Sequence, residues 1–186
     1  MKIKIVLTLS LILITCIFSL AQFGASASIS GSSWNDNNEA QKALHSGNYS
    51  KAISIWKKYE DSDISAQKHL GYVYETLKDY DNALAYYVKS ANGGNTHAML
   101  NLARLYYTGD GVNKDYKEAI KWLRKAAEYD SGVAMYNLGY MYLKGKGTEK
   151  STDTALRWYK AAAAKGHKGA QKAVDILSKD NYLLIF

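Results

Sequence analysis

Two stretches of this chain are near copies of each other, 36 positions apart. Ala98, Met99, Leu102, Tyr106, Gly109, Gly111, Ala119, Trp122, Ala126 and Ala127 return as Ala134, Met135, Leu138, Tyr142, Gly145, Gly147, Ala155, Trp158, Ala162 and Ala163. In the same frame Lys125 becomes Ala161. A unit of this length is too small to bury its own apolar face and has to stack on a neighbour. The period therefore points to a solenoid, an array of similar units that works by binding along an extended surface.

Within each unit the apolar residues recur three or four apart, the spacing of an amphipathic helix. A first helix of about 13 residues ends at Gly109-Asp110-Gly111 or Gly145-Lys146-Gly147, and a longer helix starts near Asp115 or between Ser151 and Asp153. The second helices should bury Ala119, Trp122 and Ala126, then Ala155, Trp158 and Ala162. Two less regular pairs come before. Ala66, Leu70, Val73, Tyr74 and Leu77 share one helix face, and Gly71 marks a close approach to a neighbouring helix. Asp79 opens the partner helix, which carries Ala83, Leu84, Tyr86, Tyr87 and Ala91. The earliest pair uses Ala40, Ala43 and Leu44, then Ala52, Ile53, Ile55, Trp56 and Tyr59. A last helix with Ala170, Ala173, Val174 and Leu177 should cover the open face of the fourth pair. No proline interrupts any of these segments.

The N-terminus reads differently. Lys2 and Lys4 precede an apolar run from Ile5 to Leu20, and Ala25-Ser26-Ala27 supplies small residues before a cleavage point. That is the anatomy of a secretory signal peptide. The run falls short of the ~20 residues that span a bilayer. The expected organisation is a signal peptide over 1–27, a flexible linker over 28–38, a repeat domain over 39–180 with full repeats at 96–131 and 132–167, and a tail over 181–186. The lone cysteine, Cys16, lies in the leader, so the exported domain would hold together by packing without disulfides. The formal charge of +7 falls by two when Lys2 and Lys4 are removed. The remaining cations alternate with acids, which argues for solvated helix faces and against a nucleic-acid partner.

The repeated residues resemble SEL-one-like repeats, a subfamily of the tetratricopeptide-like helical repeats. Ala134, Leu138, Gly139, Tyr142, Gly145, Gly147, Ala155, Trp158, Ala162 and Ala163 match the pattern in full, and Ala98–Ala127 match it with Ala103 in place of the first glycine. Pair two lacks the Gly-x-Gly insertion and is closer to a plain tetratricopeptide repeat. The resemblance implies an all-α fold, a right-handed α-solenoid of about four antiparallel helix pairs with a C-terminal capping helix.

It also implies that the first helix of each pair lines a concave groove. Transferred position by position, that geometry places Lys68, Tyr72 and Glu75 there from pair two. Pair three adds His97, Leu100, Arg104 and Tyr107, and pair four adds Val133, Tyr136, Tyr140 and Leu143. Tyr72, Arg104 and Tyr140 are register equivalents, and Tyr and Arg are enriched at binding hot spots. Tyr74, Tyr106 and Tyr142 should instead pack between helices.

Catalytic and metal-binding signatures are missing from the sequence. His45, His69, His97 and His167 fall in no ligand motif and read as solvent-facing or helix-end residues. The Gly-x-Gly turns follow no strand, so they read as positive-φ turns and not as phosphate loops. The expected protein is a periplasmic or secreted, monomeric, non-enzymatic module without cofactor or metal. It would bind a protein or peptide, for example a toxin or an envelope protein, and would meet a membrane only through an uncleaved leader. A periplasmic immunity protein neutralising a type VI secretion phospholipase toxin is the alternative. A β-lactamase-like hydrolase ranks below both, because the cysteine pairs of such family members are absent.

Overall fold

The computed structural model describes residues 33–183, with side-chain surroundings through residue 178. The expected signal peptide, the first part of the linker and residues 184–186 lie outside the described residues. The chain divides at Trp56 and Lys57 into two compact units.

The first unit holds α1 (33–45) and α2 (Tyr49–Trp56). Helix α1 begins inside the segment expected to be a linker: residues 33–38 are helical. Asn37 ties this turn to α2: its Oδ1 accepts a 3.1 Å hydrogen bond from the Trp56 indole. Ala40, Ala43, Ala52, Ile55 and Trp56 are buried, and Gly47 makes the turn at φ 75°.

The second unit opens with a 3₁₀ turn, Lys57–Tyr59. It continues with α3 (Ile64–Thr76), α4 (Tyr80–Asn92), α5 (Thr96–Thr108), α6 (Tyr116–Glu128), α7 (Gly132–Lys144), α8 (Thr152–Ala164) and α9 (Lys168–Leu183). Each helix packs chiefly on its neighbours in the chain, as an array built from pairs requires. Every helix from α3 to α8 starts on a side-chain cap: Asp63, Asp79, Asn95, Asp115, Ser131 and Ser151 accept from backbone amides of the first turn. Each cap contributes about 1 kcal/mol. The second helices α6 and α8 have the same 13 residues as α5 and α7, not the greater length expected. Residues 112–115 and 148–151 are consumed by the turn instead. Helix α9 packs on α8, burying Ala170 and half-burying Ala173, Val174 and Leu177, and it runs on through residues 181–183 of the expected tail.

The two glycines of each Gly-x-Gly turn have separate tasks. Gly109 and Gly145 end α5 and α7 in the left-handed conformation, with φ of 85° and 67°. Gly111 and Gly147, both at φ 71°, press against the first residue of the preceding pair's second helix. A Cβ on Gly111 would overlap the Tyr80 side chain, and one on Gly147 would lie 2.6 Å from the Tyr116 backbone. The insertion is thus a clasp between successive pairs. Between α3 and α4 there is no clasp, and Lys78 at φ 61° makes the shorter turn.

The core departs from expectation at three places. Trp122 is buried, but its equivalent Trp158 is only half-buried, and the adjacent Tyr159 goes inside. Tyr74, Tyr106 and Tyr142 are half-buried instead of core residues; Tyr74 stacks on Tyr86 at 5.6 Å, and Tyr142 accepts from Arg124. Leu77 is the C-cap of α3 and lies exposed.

Candidate binding groove

Helices α3, α5 and α7 carry Tyr72, Arg104 and Tyr140 at equivalent positions, and all three face solvent. Tyr72 is 50% exposed and Tyr140 37%. The Arg104 side chain is 42% exposed.

A polar chain crosses from one repeat to the next beside them. The Tyr87 hydroxyl, emerging from α4, donates to Glu75 Oε2 at 2.8 Å. Glu75 Oε1 accepts from Arg104 Nη2. Arg104 Nη1 also lies 3.5 Å from Asp110 Oδ2, which in turn accepts from the Thr108 hydroxyl at 2.7 Å. Burial and the bond to Glu75 push the Tyr87 hydroxyl well above its usual pKa, so it stays a donor.

One repeat further on, the chemistry changes to an ammonium among rings. Lys146 Nζ donates to Tyr107 Oη at 2.6 Å. It sits 4.5 Å from the centre of the Tyr107 ring, 5.2 Å from Tyr116 and 6.0 Å from Tyr140. The Tyr107 and Tyr116 rings are 5.3 Å apart and tilted. The hydrogen bond from Lys146 pulls the Tyr107 pKa down and raises that of Lys146. Its neighbour Tyr107 shifts the Tyr140 pKa up.

Between these two clusters a cavity of about 260 Å³ opens, lined by Leu100, Ala103, Arg104, Tyr107, Ala119, Leu123, Asn137, Tyr140 and Met141. Four residues singled out in the sequence therefore meet there: Leu100, Arg104, Tyr107 and Tyr140. Glu75 joins through Arg104. Others are placed elsewhere. Tyr136 packs on Tyr159 and stacks on His167, with ring centres 5.2 and 4.4 Å apart. Lys68 bonds the His69 ring at 3.1 Å. His97 and Val133 are exposed and Leu143 half-buried, and none of them lines the cavity. His69 is neither solvent-facing nor at a helix end: it is half-buried in the middle of α3, and burial, with Lys68 adding to it, lowers its pKa to about 4.

Sequence reasoning missed Lys146, Asp110 and Asn137. The first two are the middle residues of the Gly-x-Gly turns, register equivalents whose flanking left-handed glycines turn them toward the groove. A polar residue held between two positive-φ glycines was the available signal.

The opposite side of the pairs holds two open grooves. One, between α4 and α6, gathers Lys117, Lys121, Arg124 and Lys125 around Trp122. The other, between α6 and α8, holds Arg124, Arg157 and Trp158. The cations of α6 are thus more clustered in space than their alternation with acids suggested, although Glu118 pairs with Lys121 at 3.1 Å. Among the described residues no group of three potential ligands could hold a metal ion, and no helix is long and apolar enough to cross a membrane.

Comparison with known proteins fits this architecture. The Sel1 repeat family matches at residues 64–95, 96–128 and 132–167. Pair two, read from sequence as nearer to a plain tetratricopeptide repeat, is included. A Sel1 repeat protein from Oxalobacter formigenes is 30% identical, with a TM-score of 0.68 over 75% of this chain and 60% of that one. A protective antigen present in uropathogenic Escherichia coli strains, displaying an SLR fold, is 32% identical, with a TM-score of 0.64 over 70% of this chain and 29% of that one. This chain therefore spans less than two thirds of either relative's length. No curated protein matches it.

Proposed function

The chain belongs to the Sel1 repeat family, and from that membership we propose that it is an exported, non-enzymatic module that binds a protein or peptide along the face lined by α3, α5 and α7. The Sel1 repeat solenoid is typical of protein–protein interaction modules. The observation that carries the reading is the exposed row of Tyr72, Arg104 and Tyr140 beside an apolar cavity. Tyr and Arg around an apolar pocket are the composition of binding hot spots. Export rests on the leader-like sequence of residues 1–27.

Capture from an envelope extract tests the proposal. Arg104→Ala and Tyr140→Ala should each abolish retention of the partner while the melting temperature barely moves, because both side chains are more than a third exposed. A large loss of stability with either substitution would make these residues structural and remove the basis of the reading. A single tightly held toxin in the eluate would specify the immunity role; several envelope proteins would specify a scaffold.

A further inference from the structure

The middle repeat differs from its neighbours at one interlocked pair of positions. In the pair α3/α4, Gly71 faces the ring of Tyr87; in α7/α8, Gly139 faces the ring of Tyr159. A Cβ added to either glycine would lie 2.6 or 2.7 Å from the ring, so a glycine is what lets the tyrosine through. At the equivalent place α5/α6 carries Ala103 and Leu123. Leu123 has no ring to send between the first helices, and the cavity lies there, with Ala103, Ala119, Leu123 and Met141 as its floor. Its mouth is formed by Arg104, Tyr107 and Tyr140, on the face already described.

We propose that this cavity receives a phenyl side chain from a protein partner, with a carboxylate of the same segment held at Lys146. The inference rests on the reading that this face binds protein. Size supports it: apolar cavities of ~150 Å³ take up benzene, and this one measures about 260 Å³. Shape supports it, because the neighbouring repeats place an aromatic ring at this level themselves. The floor has no charged group, so the tip of the entering side chain is apolar. Charge selects the flanking group. Arg104 is already shared by Glu75 and Asp110. Lys146 has no carboxylate partner among the described residues and holds its ammonium over three tyrosine rings.

The test uses N-acetyl-L-phenylalanine, its amide, and N-acetyl-L-alanine as probes, followed by amide NMR of the whole protein. The phenylalanine acid should bind saturably and shift residues 100–107, 123 and 137–146. The amide should bind several-fold more weakly, and the alanine derivative should leave the spectrum unchanged. Ala103→Gly combined with Leu123→Tyr rebuilds the pairing of the neighbouring repeats and should eliminate binding with the helical spectrum intact. Leu100→Trp, which narrows the opening from a partly exposed position, provides a second block. Lys146→Ala should keep ring uptake but lose the preference for acid over amide. Binding that survives both blocking changes, shifts located elsewhere, or equal response to the alanine derivative would overturn the inference. So would concentration-dependent dimerisation abolished by the blocking changes, which would assign the cavity to a second copy. If the probes fail while Arg104→Ala still loses the captured partner, the cavity inference falls and the groove reading stands.

Discussion

Gly71, Ala103 and Gly139 occupy one register position, and so do Tyr87, Leu123 and Tyr159. The pairs covary within this single chain: glycine with tyrosine, alanine with leucine. Packed interiors leave no slack for an added methyl. Gly139→Ala should therefore cost about 1–3 kcal/mol, the range for overpacking. Tyr159→Leu in the same molecule should recover part of that, with a coupling of order 1 kcal/mol between the two sites. Urea denaturation of the two single variants and the double variant measures it, and strict additivity would refute the interlock. The sequence already marked Gly71 as a close approach. The substitution at Ala103 looked like a mere departure from the pattern, because its compensation lies 20 positions away on another helix.

His69 offers a second test at this scale. Burial and Lys68 hold its folded pKa down at about 4, against an ordinary 6.5. Between those values the unfolded chain binds the proton and the folded chain does not, so stability rises with pH there. The stabilisation is present above pH 6.5 and is lost as pH falls toward 4. A His69→Gln variant should lose less melting temperature than the native protein between pH 7 and pH 4.5. Equal losses would show that His69 titrates normally.

At the scale of elements, the helix-breaking turns carry the architecture. Gly145 and Gly147 both have positive φ, but their surroundings differ. A Cβ on Gly145 meets the Lys150 side chain at 3.3 Å, whereas one on Gly147 meets the backbone of Tyr116. Alanine at either costs about 1–2 kcal/mol for the left-handed backbone. Gly147→Ala should cost a further 1–3 kcal/mol or so, because its Cβ would lie 2.6 Å from backbone, whereas that of Gly145 keeps 3.3 Å from its nearest neighbour. Comparing the two unfolding midpoints checks this, and equal midpoints would contradict the clasp. The turns, caps and helix faces were legible because each depends on neighbours in sequence: Asp79 and Asp115 open helices, and Gly109 and Gly145 close them. The place of Trp158 was not legible. Repeat register makes it equivalent to Trp122, but α8 meets α9 where α6 meets α7, and Trp158 is left half-buried.

For the molecule as a whole, repeat register makes Tyr72, Arg104 and Tyr140 equivalent positions of α3, α5 and α7, and all three side chains are exposed. It could not show that Lys146 reaches across to Tyr107, 39 positions earlier, or that Tyr136 would turn to His167. Such contacts depend on how adjacent pairs settle against each other. Two surfaces now compete for a partner: the aromatic face with its cavity, and the basic grooves around Trp122 and Trp158 on the other side. Site-specific photo-crosslinking separates them. A benzoylphenylalanine crosslinker, which keeps an aromatic ring where alanine removes it, should trap the partner from an envelope extract when it replaces Tyr72 or Tyr140, while one replacing Lys121 or Arg157 should trap nothing. Crosslinks from Lys121 or Arg157 with none from Tyr72 and Tyr140 would contradict the assignment of binding to the face of α3, α5 and α7.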